Sequence, residues 1–166
     1  MKKALFSMLL MILASTGASY AQKTNIAYHG EVNLGYSVGV GNLFSGNRIN
    51  LHTIQGIKSG NLSTGIGIGC DLYHEGGVDA IIPIFWNLKG YLPVSQTVSP
   101  FISLDLGAGI CANGETKGYS GLYLTPAIGL QVKTYKFQLG YNIQQISVSG
   151  VSASLNALQI LVGMTF

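Results

Sequence analysis

Three histidines, His29, His52 and His74, are the side chains best suited to proton transfer or metal ligation in this chain of 166 residues. They lie far apart, and no pair has the H-x-x-x-H spacing that brings two imidazoles to one metal. Nucleophilic hydrolysis needs a serine beside a histidine that a carboxylate orients. His74-Glu75 and Ser120 supply those residue types, but nothing in their spacing joins them. Gly65-x-Gly67-x-Gly69 has the glycine rhythm of a phosphate loop, yet it sits inside an alternating stretch with no helix behind it. Glycine there is expected to make room for a bulky neighbour such as Tyr73 or Phe85. Cys70 and Cys111 fall on opposite faces of non-neighbouring strands and make no disulfide framework. The expectation is a protein without catalysis, cofactor or metal.

A different set of polar residues has a common pattern. Glu31, Arg48, Asp71, Lys89 and Asp105 are isolated charges, each set in a run whose alternate positions are apolar. Side chains of a strand alternate between its two faces. In Gly30–Val40, Val32, Leu34, Tyr36, Val38 and Val40 share one face, and Glu31, Asn33, Gly35, Ser37 and Gly39 the other. The same rhythm recurs over 48–58, 62–73, 81–92, 101–112, 119–133 and from Phe137 onward, with a last strand ending at Phe166. Ser59-Gly60-Asn61 and residues 133–136 read as turns, and 41–47, 74–79, 93–100, 113–118 and 147–154 as loops. Eight strands result. Pro126 is the weak point, because proline cannot donate to a ladder and belongs at an edge or bulge, where it could reverse the facing on one side.

The final strand places Leu158, Ile160, Val162, Met164 and Phe166 on one face. An apolar strand running to the last residue suits a closed barrel, whose last strand pairs with its first so that no edge is left in lipid. At the other end, Lys2 and Lys3 precede an apolar run from Ala4 to Ala14, then small residues leading to Ser19-x-Ala21. A charged start, an h-region of about 7–15 residues and a small-x-small site describe a cleaved signal peptide. The predicted division is residues 1–21 as signal and 22–166 as the barrel domain. Removing the signal takes Lys2 and Lys3 from nine basic residues, leaving seven against six acidic ones, so nucleic acid is not an expected partner.

Two environments fit the alternation. A soluble barrel would turn its apolar set inward around a ligand, and a membrane barrel would turn it toward lipid. The second face decides. It is built from Gly, Ser, Asn and Thr, and charged residues are only 9% of the chain. A face in contact with water would carry about 25–35% charge. The five charges therefore belong in a lumen, where they must be paired. The network they form is expected to be a structural plug, since eight strands enclose a space just wide enough for their own side chains.

Leu51-His52-Thr53-Ile54-Gln55-Gly56, Gly65 to Asp71, Ile82-Pro83-Ile84-Phe85, Ser99-Pro100-Phe101, Leu104-Asp105-Leu106-Gly107 and Gly140-Tyr141-Asn142 carry a resemblance. Together they resemble the small eight-stranded outer-membrane β-barrels of the OmpA transmembrane-domain and OmpX type, a porin-family barrel domain, over nearly all of residues 22–166. The C-terminal pattern Val162, Met164, Phe166 resembles the assembly signal such proteins present to the barrel-assembly machinery. The resemblance implies a monomeric barrel in contact with outer-membrane lipid of a Gram-negative cell. Its role would be structural or one of surface interaction. The alternatives are a small diffusion channel and a lipid-modifying enzyme.

Overall fold

The computed structural model describes residues 26–40, 47–74, 80–95, 97–112, 120–148 and 151–166. The predicted signal segment, with Ser19 and Ala21, lies outside them, as does Glu75. Among the described residues nine strands follow one another: β1 Ile26–Gly39, β2 Arg48–Ser59, β3 Leu62–Tyr73, β4 Ala80–Tyr91, β5 Val98–Cys111, β6 Ser120–Val132, β7 Tyr135–Val148, β8 Val151–Ser154 and β9 Ala157–Thr165. Each pairs antiparallel with its sequence neighbour from β1 to β7, β9 pairs with β7 and with β1, and the barrel closes. The short β8 pairs with the far end of β7 in the register that β9 continues, so β8 and β9 are one barrel strand interrupted at Leu155 and Asn156. This is an eight-stranded, up-and-down, antiparallel barrel. Closure runs to the last residue: Gly30 N–H donates to Phe166 O at 2.8 Å, and Phe166 N–H returns to Gly30 O at 2.9 Å.

Strands β2, β3 and β4 have 12 residues each, enough for a tilted strand to cross a hydrocarbon core, which takes about 9–11. The apolar set faces out. In β3 the exposed large apolar residues are Leu62, Ile66, Ile68 and Leu72; in β5 they are Ile102, Leu104, Leu106 and Ile110. The alternate positions are buried and mostly polar, including Glu31, Asn50, Asn87, Asp105, Gln138 and Gln159. That is the inside-out distribution of a transmembrane barrel.

Pro126 does not reverse the facing. Leu104↔Pro126 lies within an unbroken register with β5, and Leu124, Pro126 and Ile128 all point outward. Its missing N–H shows on the other side. The β6–β7 pairing stops at Leu124↔Ile143, resumes at Ala127↔Gly140 in the same register, and is bridged by Asn142 Nδ2 donating to Thr125 Oγ1 at 2.7 Å. Several boundaries also differ from the sequence reading. β1 begins at Ile26, β5 at Val98, and the Ser/Gly-rich stretch after Ile146 forms the β7–β8 hairpin rather than a loop.

The outer face is not wholly apolar, and its polar groups satisfy one another. Tyr28 Oη donates to Gln55 Oε1, Gln55 Nε2 donates to Thr53 Oγ1 at 2.9 Å, and Thr53 Oγ1 donates to the Glu31 carbonyl at 3.1 Å. Trp86 Nε1 donates to Thr64 Oγ1 at 2.6 Å. Lipid offers no substitute partner for a donor left bare. Thr64→Val should therefore destabilise the barrel by about 1–3 kcal/mol. Urea titration in micelles, followed by Trp86 emission, reads this, and an unchanged midpoint would show that the Trp86 hydrogen bond contributes nothing.

Candidate functional site: the barrel lumen

Glycines on the lumen face make space for large partners. A Cβ on Gly67 would lie 2.3 Å from the Phe85 ring, and one on Gly69 would lie 2.2 Å from His52. The alternating glycines of β3 are thus seats for Phe85, as the sequence suggested, and for His52 in place of Tyr73. Gly67→Val would push the Phe85 ring from its position, at an expected cost of about 1–3 kcal/mol. Comparing unfolding midpoints with a Gly67→Val/Phe85→Leu pair checks the cause, because only a clash with the ring is relieved by the second change.

Both chain termini of the described barrel and the connections after β2, β4 and β6 lie at one end, the turn end, and the strands β1, β3, β5 and β7 finish at the other, the loop end. In the turn-end half, Glu31 is fully buried and is ion-paired with both Lys89 and Lys136. His29 Nε2 lies 3.0 Å from the same carboxylate and 3.2 Å from Tyr91 Oη. Lys58 lies over the Tyr91 ring, its ammonium 3.8 Å from the centroid. In the loop-end half, Asp71 Oδ1 accepts from Asn50 Nδ2 at 2.7 Å and lies 2.7 Å from His52 Nε2. Arg48 Nε stands 3.8 Å from Asp71 Oδ2, its guanidinium also donates to Asn142 Oδ1, and its central carbon lies over the Tyr73 ring, 5.0 Å from the centroid. Asp105 accepts from Asn87 Nδ2 at 2.5 Å.

The five predicted charges thus fall in three places: Glu31 with Lys89, Arg48 with Asp71, and Asp105 with an amide. Lys136, His29 and His52 complete the clusters. Lys136 was hidden because 133–136 reads as one turn, whereas β7 already begins at Tyr135. The signal was there: Lys136 alternates with the outward Phe137, Leu139 and Tyr141. The fully enclosed charges among the described residues balance, with Glu31, Asp71 and Asp105 against Arg48, Lys89 and Lys136.

An aromatic layer occupies the lumen beside these charges. The rings of Phe85 and Tyr123 stack with centroids 5.4 Å apart and 25° between planes, and His52 meets both edge-on at 5.7 and 6.3 Å. Phe85 and Tyr123 are buried together with Ile54. Toward the loops, Tyr73, Ile81, Cys111 and Leu155 form a second apolar cluster. Cys70 and Cys111 are not joined in a disulfide. His74 is exposed beyond β3, 6.4 Å from the Tyr36 ring, and Ser120 is exposed at the start of β6.

No family model matches the chain, and no curated protein matches it. Solved structures do. Neisserial surface protein A superposes with a TM-score of 0.66 at 11% identity, over 85% of this chain and 97% of that one. The N-terminal β-barrel domain of Pseudomonas aeruginosa OprF superposes with a TM-score of 0.53 at 12% identity, over 83% of this chain and 97% of that one. At such identities the likeness is one of fold: this chain folds like the small outer-membrane β-barrels.

Proposed function

We propose that the protein is an integral outer-membrane β-barrel with a structural or surface-interaction role, held shut by its own lumen side chains and performing no catalysis. The observation that carries the reading is the pairing of an apolar exterior with a lumen filled by balanced ion clusters and stacked rings. Such an interior stiffens a barrel and leaves little room for a permeant solute. The fold likeness to Neisserial surface protein A and to the OprF barrel domain supports the membrane setting. In this reading residues 1–21 are a signal peptide, and Val162, Met164 and Phe166 address the closing strand to the assembly machinery. The lumen network of Glu31, Arg48, Asp71, Lys89 and Asp105 is structural.

Fractionation with a heat-modifiability gel tests location and closure together. A closed barrel recovered with outer membranes should migrate differently before and after boiling. Recovery in the aqueous phase would favour a soluble ligand-binding barrel. The purified barrel should give no discrete conductance in planar bilayers, and regular openings would favour the channel reading. The enzyme reading would need altered lipid A in an expressing strain, lost on His74→Ala.

A further inference from the structure

An apolar trough of about 560 Å³ indents the outer face toward the turn end, across β5, β6, β7 and β9. Its walls are the outward side chains Ile102, Ile128, Leu130, Phe137, Leu139 and Ile160. Leu92 and Pro100, from either side of the β4–β5 connection, close it toward the turns. That connection is tied to the β6–β7 turn, since Lys133 N–H donates to the Thr97 carbonyl at 2.9 Å. Lys133 itself is exposed, three residues from Leu130 in the trough wall. The other charged residues among those described, Glu31, Arg48, Lys58, Asp71, Lys89, Asp105 and Lys136, belong to the lumen face of their strands. Lys133, in the β6–β7 turn, is therefore the one charged side chain, among the described residues, that does not belong to the lumen face of a strand. It is an exposed cation in the turn that follows the Leu130 wall of the trough.

A second trough, of about 310 Å³, lies over β1, β2 and β3 between Val32, Leu51, Thr53, Ile68 and Cys70. Its lining holds no Lys, Arg, Asp or Glu, and His52 is engaged with Asp71 in the lumen. The two troughs differ in size and in the presence of a neighbouring cation.

We infer that the larger trough is a seat for one acyl chain of an anionic phospholipid from the leaflet facing the turns, with the lipid phosphate engaged by Lys133. The chain supplies the apolar surface that the trough walls lack, and the ammonium recognises the phosphate and its neighbouring negative charge. The inference rests on the membrane reading above.

The test uses the full barrel in bilayer nanodiscs doped with phosphatidylglycerol or phosphatidylcholine, each carrying a photoreactive diazirine on the same acyl chain. Labelled peptides are then mapped. Phosphatidylglycerol adducts on Ile128, Leu130, Phe137 and Leu139 should exceed those on Leu51 and Ile68 by about fivefold, the gain expected from one lysine near an anionic surface. Lys133→Gln should bring that ratio close to parity, as should the zwitterionic lipid. Even labelling by phosphatidylglycerol overturns the inference, and so does an enrichment that survives Lys133→Gln. Native protein with an intact heat shift but even labelling overturns the inference and leaves the membrane reading standing. A protein that never enters the nanodisc defeats the membrane reading itself.

Discussion

Replacing Glu31 by glutamine is expected to lower the unfolding free energy of the barrel by about 3–5 kcal/mol, the range seen when one partner of a buried ion pair is removed. Glu31 is the single carboxylate that accepts from both Lys89 and Lys136. Glutamine keeps an acceptor but not the charge, so two ammonium groups would remain enclosed beside one another, repelling each other with their directly paired carboxylate gone. The carboxylate is fully buried, so added salt should do little to relieve the loss. Urea titration with a gel-shift readout in detergent measures it. Adding Lys136→Met to Glu31→Gln should recover part of the stability, because one orphaned charge is then replaced by apolar volume. A single variant within about 1 kcal/mol of the native protein, against that expected range, would mean that the cluster does not hold the barrel together.

The second large effect is on permeability. Phe85 is 2% exposed and Tyr123 is inaccessible to solvent, and their stacked rings fill the lumen between the two ion clusters. Removing either ring should cost about 3–5 kcal/mol, as for other buried aromatic truncations. The barrel wall itself depends on backbone ladders that neither ring makes, so Phe85→Ala/Tyr123→Ala should still close. The void left behind adjoins His52, which is itself engaged with Asp71, and a polar-lined cavity of that kind admits water. Planar-bilayer recordings should then show discrete openings from the double variant and none from the native protein. A double variant that stays heat-modifiable and silent would show that the ion clusters alone seal the lumen.

Strand number, facing and closure were legible in the amino-acid order. Leu62 to Tyr73 and Phe101 to Cys111 each alternate without a fault, and alternation is a local property: each residue's face follows from its immediate neighbours. The polar face was readable for the same reason, and five of its charges could be named before any pairing was known. Boundaries were less legible where composition misled. The Ser/Gly-rich residues before Leu155 looked like a loop, but backbone hydrogen bonds between β7 and β8 need no particular side chain. Pro126 looked like a bulge, yet proline only interrupts the ladder on the side where its N–H would have donated, and the register passes through.

Only the tertiary structure decided which lumen residues meet. Glu31 and Lys89 are 58 positions apart, and Glu31 and Lys136 are 105 apart. They come together because the strands tilt and stagger as the sheet closes, and the amount of stagger appears in no local pattern. The same closure set Phe85 against Tyr123, gave Gly69 to His52, and paired Trp86 with Thr64 on the outer face. Alternation assigns every side chain to a face from its nearest neighbours. Register, which assigns it a partner, depends on the pairing of every strand around the ring at once.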